Sequence, residues 1–287
     1  MASSPLLLIL SAIVMQVTLN LAQQPGYRFH FCINTSYTAI STFPVNLNMT
    51  LSNLYVNATH SNGFYNTSTG QNPDKAYGLF HCRPYTSPEL CRSCIKVASE
   101  LITSLCPQQK EAITWYDECM LRFSNRSIFS DLEEIPKAYL WNVNDIKNSG
   151  GFNETMTGLM NSLVAQAVSS RKLFAAGVEN DTIFSSIYGL VQCTPDISTR
   201  DCRTCLTRSL SDIPKCCNGK RGGRVLKPSC IIRYETFPFY NTTALLPPPP
   251  APTLPPPPPG TSFAPMPPTP AASANYTGKP ISFSSVR

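Results

Sequence analysis

The stretch Cys193–Leu206 reads CTPDISTRDCRTCL, and the stretch Cys82–Ile95 reads CRPYTSPELCRSCI. Both follow one frame: Cys, eight residues, Cys, two residues, Cys, an apolar residue. Beyond these stretches the match continues. Cys82, Cys91, Cys94, Cys106 and Cys119 map onto Cys193, Cys202, Cys205, Cys217 and Cys230 at a single offset of 111 (82 to 193). Five matches at one offset mark a duplicated unit, and a unit this long is a domain with its own core rather than a solenoid repeat.

Each copy reads in the same order. Phe152, Met156, Leu159, Met160, Leu163 and Ala167 recur at helical spacing, as do Phe43, Leu47, Leu51, Leu54 and Tyr55 in the first copy. Strand-like runs follow, KAYGLFHC and TIFSSIYGLVQC. A short second helix, beginning near Pro88 or Asp201, carries Cys91 and Cys94, or Cys202 and Cys205, on one face. Two strands complete the unit, RVL and CIIRYETFPFY, the latter alternating apolar and polar residues. The expected fold class is α+β: two tandem small domains, each an antiparallel β-sheet with two α-helices, stapled by disulfides. The first domain is expected over residues 23–130, a linker over 131–138 and the second domain over 139–243.

Residues 1–22 read as a signal peptide, because the apolar run from Leu6 to Val17 is too short for a comfortable bilayer span. Twelve cysteines agree with an oxidising compartment. So do the glycosylation sequons at Asn34, Asn48, Asn57, Asn66, Asn125, Asn153, Asn180, Asn241 and Asn275. Residues 244–270 form a proline-rich, extended segment, expected to act as a wall-associated spacer. Residues 271–287 read as a disordered tail, with no apolar run long enough to cross a bilayer. The expected localisation is secreted, in the apoplast, with no membrane span in this chain. A net charge of +6 is mild, which suits acidic wall polymers better than nucleic acid, and no nucleic-acid partner is expected.

Three chemistries compete for Cys-x2-Cys. A zinc site needs four ligands, but each copy has one such unit, and His30, His60 and His81 have no counterparts in the second copy. A redox pair needs a low-pKa thiolate in its own fold. Structural disulfides need neither, and small secreted domains use them to supplement a limited core. No metal and no cofactor is expected. With no histidine in the second copy, a Cys-His or Ser-His arrangement shared by both is ruled out, and GKRGGRV (Gly219–Val225) lacks phosphate-loop spacing. No catalytic residue is assigned, and an enzyme is the weaker class.

The Cys-x8-Cys-x2-Cys frame, followed by CCNGKRGGRVLKPSCIIRYETFPFY, resembles the ginkbilobin-like domain. That domain occurs in tandem in plant cysteine-rich receptor-like kinases, plasmodesmata-located proteins and cysteine-rich repeat secretory proteins. The resemblance runs from Tyr27 to Tyr240 and implies three disulfides per domain. Carried over, these are Cys32–Cys106, Cys82–Cys91 and Cys94–Cys119, then Cys193–Cys202 and Cys205–Cys230. Trp141 stands where the second copy's counterpart of Cys32 belongs, so Cys217 lacks that partner and Cys216 has appeared beside it. These neighbours are expected to bond to each other or to bridge to another chain.

In the family's antifungal lectin, an Asn, an Arg and a Glu hold mannose. The resemblance places these on Asn142, Arg224 and Glu235, whereas the first copy has Ile33, Ile113 and Ser124. Independently of the family, adjacent sugar hydroxyls suit a planar donor, a carboxylate and an amide. The competing reading of Arg224 and Glu235 is an exposed cross-strand ion pair without a ligand. Trp115 and Trp141 are read as packing residues, and the cluster Lys215, Lys220, Arg221, Arg224 and Lys227 as a solvated loop. The functional expectation is a secreted glycoprotein of plant defence or extracellular signalling that binds a mannose-type glycan or cell-wall polysaccharide through its second domain. The alternatives are a protein-interaction module pairing with receptor-like kinase ectodomains, and a receptor ectodomain cut short.

Overall fold

Alternate residues of a β-strand point to opposite faces of its sheet. In the strand Cys230–Glu235, Cys230, Ile232 and Tyr234 point one way and Ile231, Arg233 and Glu235 the other, yet all six are buried. The matching strand Cys119–Ser124 is also buried throughout. Strands of this kind belong to a sheet covered on both faces, and that requirement sets the architecture.

The computed structural model describes residues 24–147, 149–180 and 186–241. The expected signal peptide, the proline-rich segment, the tail and Asn275 lie outside the described residues. The first repeat contains β1 (Tyr27–Ser36), α1 (Phe43–Asn57), β2 (Phe64–Thr69), β3 (Ala76–Cys82), α2 (Pro88–Leu105), β4 (Gln109–Tyr116) and β5 (Cys119–Ser124). The second contains β6 (Ala138–Trp141), α3 (Ser149–Ser169), β7 (Phe174–Glu179), β8 (Ile187–Cys193), α4 (Thr199–Cys216), β9 (Gly222–Leu226) and β10 (Cys230–Glu235). Each repeat folds into a five-stranded antiparallel sheet, in the order β1-β4-β5-β3-β2 and β6-β9-β10-β8-β7. Four strands beyond those read from the sequence, β1, β2, β6 and β7, complete the sheets.

The second helix of each repeat is 18 residues long rather than short. Serine caps both: Ser87 Oγ accepts from Leu90 N at 3.2 Å, and Ser198 Oγ from Asp201 N at 3.1 Å. Asp201 is therefore the third residue of its helix, not the first. The helices cover one face of each sheet. Leu47, Leu54, Phe80, Ile95 and Phe123 form one core, and Phe152, Met160, Leu163, Leu206 and Ile232 the other.

The remaining faces cover each other. Leu79, Trp115 and Met120 of the first repeat pack in one cluster with Leu190, Leu226 and Ile231 of the second. Each of these residues is related to one in the other repeat by the same offset of 111 that relates the cysteines (79 to 190, 115 to 226, 120 to 231). Duplicated surfaces that meet through equivalent residues form an isologous contact, as in a two-fold dimer, here within one chain. The apolar–polar alternation read in CIIRYETFPFY does not mark a face turned to water. Its polar members Arg233 and Glu235 face the other repeat, and the strand ends at Glu235.

Six disulfides link Cys32–Cys106, Cys82–Cys91, Cys94–Cys119, Cys193–Cys202, Cys205–Cys230 and Cys216–Cys217. Trp141 ends β6, the edge strand that corresponds to β1 and its Cys32. The segment between the repeats is strapped to both. Glu133 accepts from Arg122 at 2.5 Å and Arg126 at 2.6 Å, and its backbone exchanges hydrogen bonds with Ser229. Glu134 pairs with Lys227 at 2.9 Å. Among the sequons with described side chains, Asn48, Asn180 and Asn241 are exposed, and Asn57, Asn66, Asn125 and Asn153 are half-buried.

One polar group sits at the centre of the apolar contact. Gln192 is 1% exposed; it accepts from Arg83 at 2.7 Å, donates to the Cys82 carbonyl at 3.1 Å and meets His81 Nε2 at 2.9 Å. Replacing it by leucine leaves a buried guanidinium and a buried carbonyl each short of a partner. Gln192→Leu is expected to lose roughly 2–4 kcal/mol, read as a lower denaturant midpoint.

A candidate carbohydrate site between the repeats

The strand register assembles the site. Arg224 on β9 faces Arg233 on β10, and Glu235 lies two residues further along the same face. Gly222 stands opposite Glu235, and a Cβ built there would fall 1.8 Å from Glu235 Oε2, so only glycine lets this carboxylate lie flat on the sheet. Asn142 follows β6, where its N–H donates to the Gly222 carbonyl at 2.9 Å and its Oδ1 accepts from Asn144 N at 2.9 Å. Asn142, Arg224 and Glu235 thus line one cleft of about 670 Å³. Their first-repeat counterparts take other places. Ile113 and Ser124 are fully buried, and Ile33 pairs with Glu111 on the β1 edge strand.

The first repeat forms the opposite wall, which the sequence did not reveal. Tyr27, Arg28, Tyr85, Asp117 and Glu118 face the Arg224 side. Asp117, in the turn between β4 and β5, accepts from Arg224 at 2.5 Å and from Arg28, and lies 3.6 Å from Arg233. Glu235 accepts from Arg233 Nε at 3.0 Å and lies 3.5 Å from Arg224. The side chains of Arg224 and Glu235 are only 14% and 6% exposed. The competing reading of an exposed cross-strand pair is thereby corrected: Glu235 is buried, Arg224 is largely covered, and both belong to a network across the repeats. Arg233 stacks on Phe239 with its guanidinium carbon 3.8 Å from the ring centre. Burial and the adjacent Arg224 push the Arg233 pKa down to about 10.

Trp141 also departs from expectation. Trp115 is fully buried, as a packing residue should be, but Trp141 is 53% exposed on the cleft wall beside Phe237. Its strand is a sheet edge and its partner across β9 is Gly223, which offers no side chain to cover it. The basic cluster read as a solvated loop is instead paired piece by piece. Lys227 is 2% exposed between Glu134 and Asp212, Lys220 meets Asp145 at 2.6 Å, and Lys215 lies 3.5 Å from Asp212. Among the described residues, His30 gathers with Cys32 and Cys106, but those two sulfurs are bonded to each other and supply no thiolate.

The family model for salt stress response/antifungal domains matches residues 31–126 and again 141–237. The chain belongs to this family. An antimicrobial ginkbilobin-2-like protein of Castanea crenata is 42% identical over 212 residues, which cover 74% of this chain and 88% of that protein. Cysteine-rich receptor-like protein kinase 25 of Arabidopsis thaliana is 38% identical over 252 residues, 85% of this chain. The chain spans 37% of that kinase's length. In fold, the chain is similar to the crystal structure of the tandem DUF26 ectodomain of the Arabidopsis thaliana cysteine-rich receptor-like protein PDLP8. The TM-score is 0.64 at 20% identity, over 73% of this chain and 98% of that one. The chain thus carries two domains of the salt stress response/antifungal family in tandem, with relatives among antimicrobial proteins and receptor-like kinases. No described helix is long and apolar enough to cross a membrane.

Burial disfavours the Asp117 carboxylate's charge, but the hydrogen bond from Arg28 and the pull of Arg224 outweigh it and lower its pKa to about 2. A depressed carboxylate pKa stabilises the fold above its unfolded value of about 4 and loses that stabilisation as pH falls through the folded value. Asp117→Asn is expected to cost about 2 kcal/mol at neutral pH. The difference from the parent should shrink between about pH 4 and pH 2, as followed by urea denaturation across that range.

Proposed function

We propose that this chain is a secreted, glycosylated protein of plant defence or extracellular signalling, acting in the apoplast by binding rather than catalysis. Its ligand is a neutral, mannose-type glycan taken up in the cleft of Asn142, Arg224 and Glu235. The observation that carries this reading is the composition of that cleft. Arg28, Arg224 and Arg233 are balanced by Asp117, Glu118 and Glu235 beside the exposed ring of Trp141. A charge-balanced wall of fixed donors and acceptors next to an aromatic platform suits a polyhydroxylated, uncharged ring. The sequence assigned this site to the second repeat alone. The cleft walls support a composite site, with Asp117 orienting the Arg224 fork.

One observation favours a second reading. The Arg224 Nη1 that would reach a sugar already donates to Asp117. On this reading the three residues serve as a clamp between repeats, and the surface pairs with receptor-like kinase ectodomains without any sugar.

Full-length protein titrated with mannose-terminated oligosaccharide separates the two. Few hydrogen bonds to a well-hydrated ligand give a Kd on the order of millimolar. Trp141→Ala should weaken binding about tenfold while the melting temperature holds, since the ring is exposed on the wall. Arg224→Lys should fail to bind, because a point charge cannot grip two hydroxyls as the planar fork does. Normal sugar binding by both variants would leave the clamp and the protein-partner reading.

A further inference from the structure

A second cleft, of about 680 Å³, lies elsewhere along the junction of the repeats and shares no lining residue with the first. Its electrostatics are the opposite of balanced. Arg171 and Lys172, consecutive and exposed in the turn after α3, line one side. Neither enters an ion pair among the described residues. The buried guanidinium of Arg83 lies in the wall between the repeats, where it donates to Gln192 and to the backbone carbonyls of Asp117 and Tyr116. The first turn of α2, at Pro88, adds the positive end of its helix dipole. Among the described residues, no aspartate or glutamate lines the cleft. His81 on the same wall is pushed down to a pKa of about 3 by burial and by Arg83, so it is neutral there and serves as a hydrogen-bonding group.

The remaining wall is that of a sugar site. Phe64, held edge-on against His81 with ring centres 5.8 Å apart, supplies an apolar surface alongside prolines. Ser61 and Thr86 carry hydroxyl oxygens that are screened from solvent and have no hydrogen-bond partner. An orphaned hydroxyl forgoes hydrogen bonding that a ligand can restore, and a rotation about one side-chain bond turns it toward that ligand. A ligand for this wall carries carboxylates for the two free cations, hydroxyls for the serine and threonine, and an apolar ring face for the phenylalanine.

We infer that this second cleft binds an acidic oligosaccharide built from uronic acids, with Arg171 and Lys172 taking its carboxylates. The site is separate from the neutral-sugar cleft and stands or falls independently of it.

The test is calorimetric titration of the full chain at low salt with a defined oligogalacturonate. A neutral galactan oligosaccharide and an oligoglutamate of equal length serve as comparison ligands. Oligogalacturonate is expected to bind, and to weaken as salt rises. The double variant Arg171→Ala, Lys172→Ala should bind about tenfold more weakly, the equivalent of two exposed charge contacts. Both residues are exposed, so folding should be unaffected. Arg200→Ala combined with Arg203→Ala, two exposed cations outside the cleft, should bind oligogalacturonate as the parent does. Absence of binding, equal binding of the neutral oligosaccharide, or unchanged binding by the Arg171/Lys172 variant would overturn the site. Equal weakening by the Arg200/Arg203 variant would reduce it to diffuse attraction, and equal binding of oligoglutamate would overturn the sugar assignment.

Discussion

Each sheet in this protein has two apolar faces and only one pair of helices to cover them. The second face is covered by the other repeat, and most of the functional geometry follows from that packing. Leu79, Trp115 and Met120 meet Leu190, Leu226 and Ile231. At roughly 25 cal/mol per Å² of apolar surface removed from water, a contact among side chains of this size outweighs the rigid-body freedom that the two repeats retain on a single chain. The repeats therefore form one unit, and clefts at their junction have fixed walls.

Duplication makes the contact symmetric, and divergence at its margins makes the clefts. At the centre, equivalent residues still meet: His81 and Gln192 occupy matching positions and hydrogen-bond to each other. Away from the centre the copies differ in kind. Arg224 occupies the position of the buried Ile113, and Arg83 that of Thr194. A buried arginine needs acceptors in place, since its unpaired charge is far costlier than any surface pair is favourable. Asp117 meets that need for Arg224 from the opposite repeat, and Gln192 meets it for Arg83. The polar groups of the two clefts are thus the margin of a hydrophobic interface, held in place by the fold on either side.

The same logic separates the two clefts. Around Arg224 each guanidinium has a carboxylate nearby, so the field is nearly neutral and orientation of donors dominates. Around Arg171 the cations have no carboxylate on the cleft wall, so net charge dominates and the attraction is long-ranged and salt-sensitive. Two clefts of similar volume at one junction are therefore suited to different ligands, one neutral and one acidic.

By itself the sequence determined the duplication, the α+β class and the order of the two helices and three of the five strands in each repeat, because cysteine spacing and hydrophobic period are local signals. It also placed Arg224 and Glu235 on neighbouring strands. It could not show that Arg233 and Glu235 are buried, because an apolar–polar alternation looks the same whether its polar face meets water or another sheet. Nor could it show that Asp117 meets Arg224, or that Gln192 meets Arg83, since these partners are separated by 107 and 109 positions and only packing joins them. Trp141 was read as a packing residue because tryptophan usually is one. Tertiary structure put it on an edge strand opposite a glycine, and so left its ring exposed on the cleft wall.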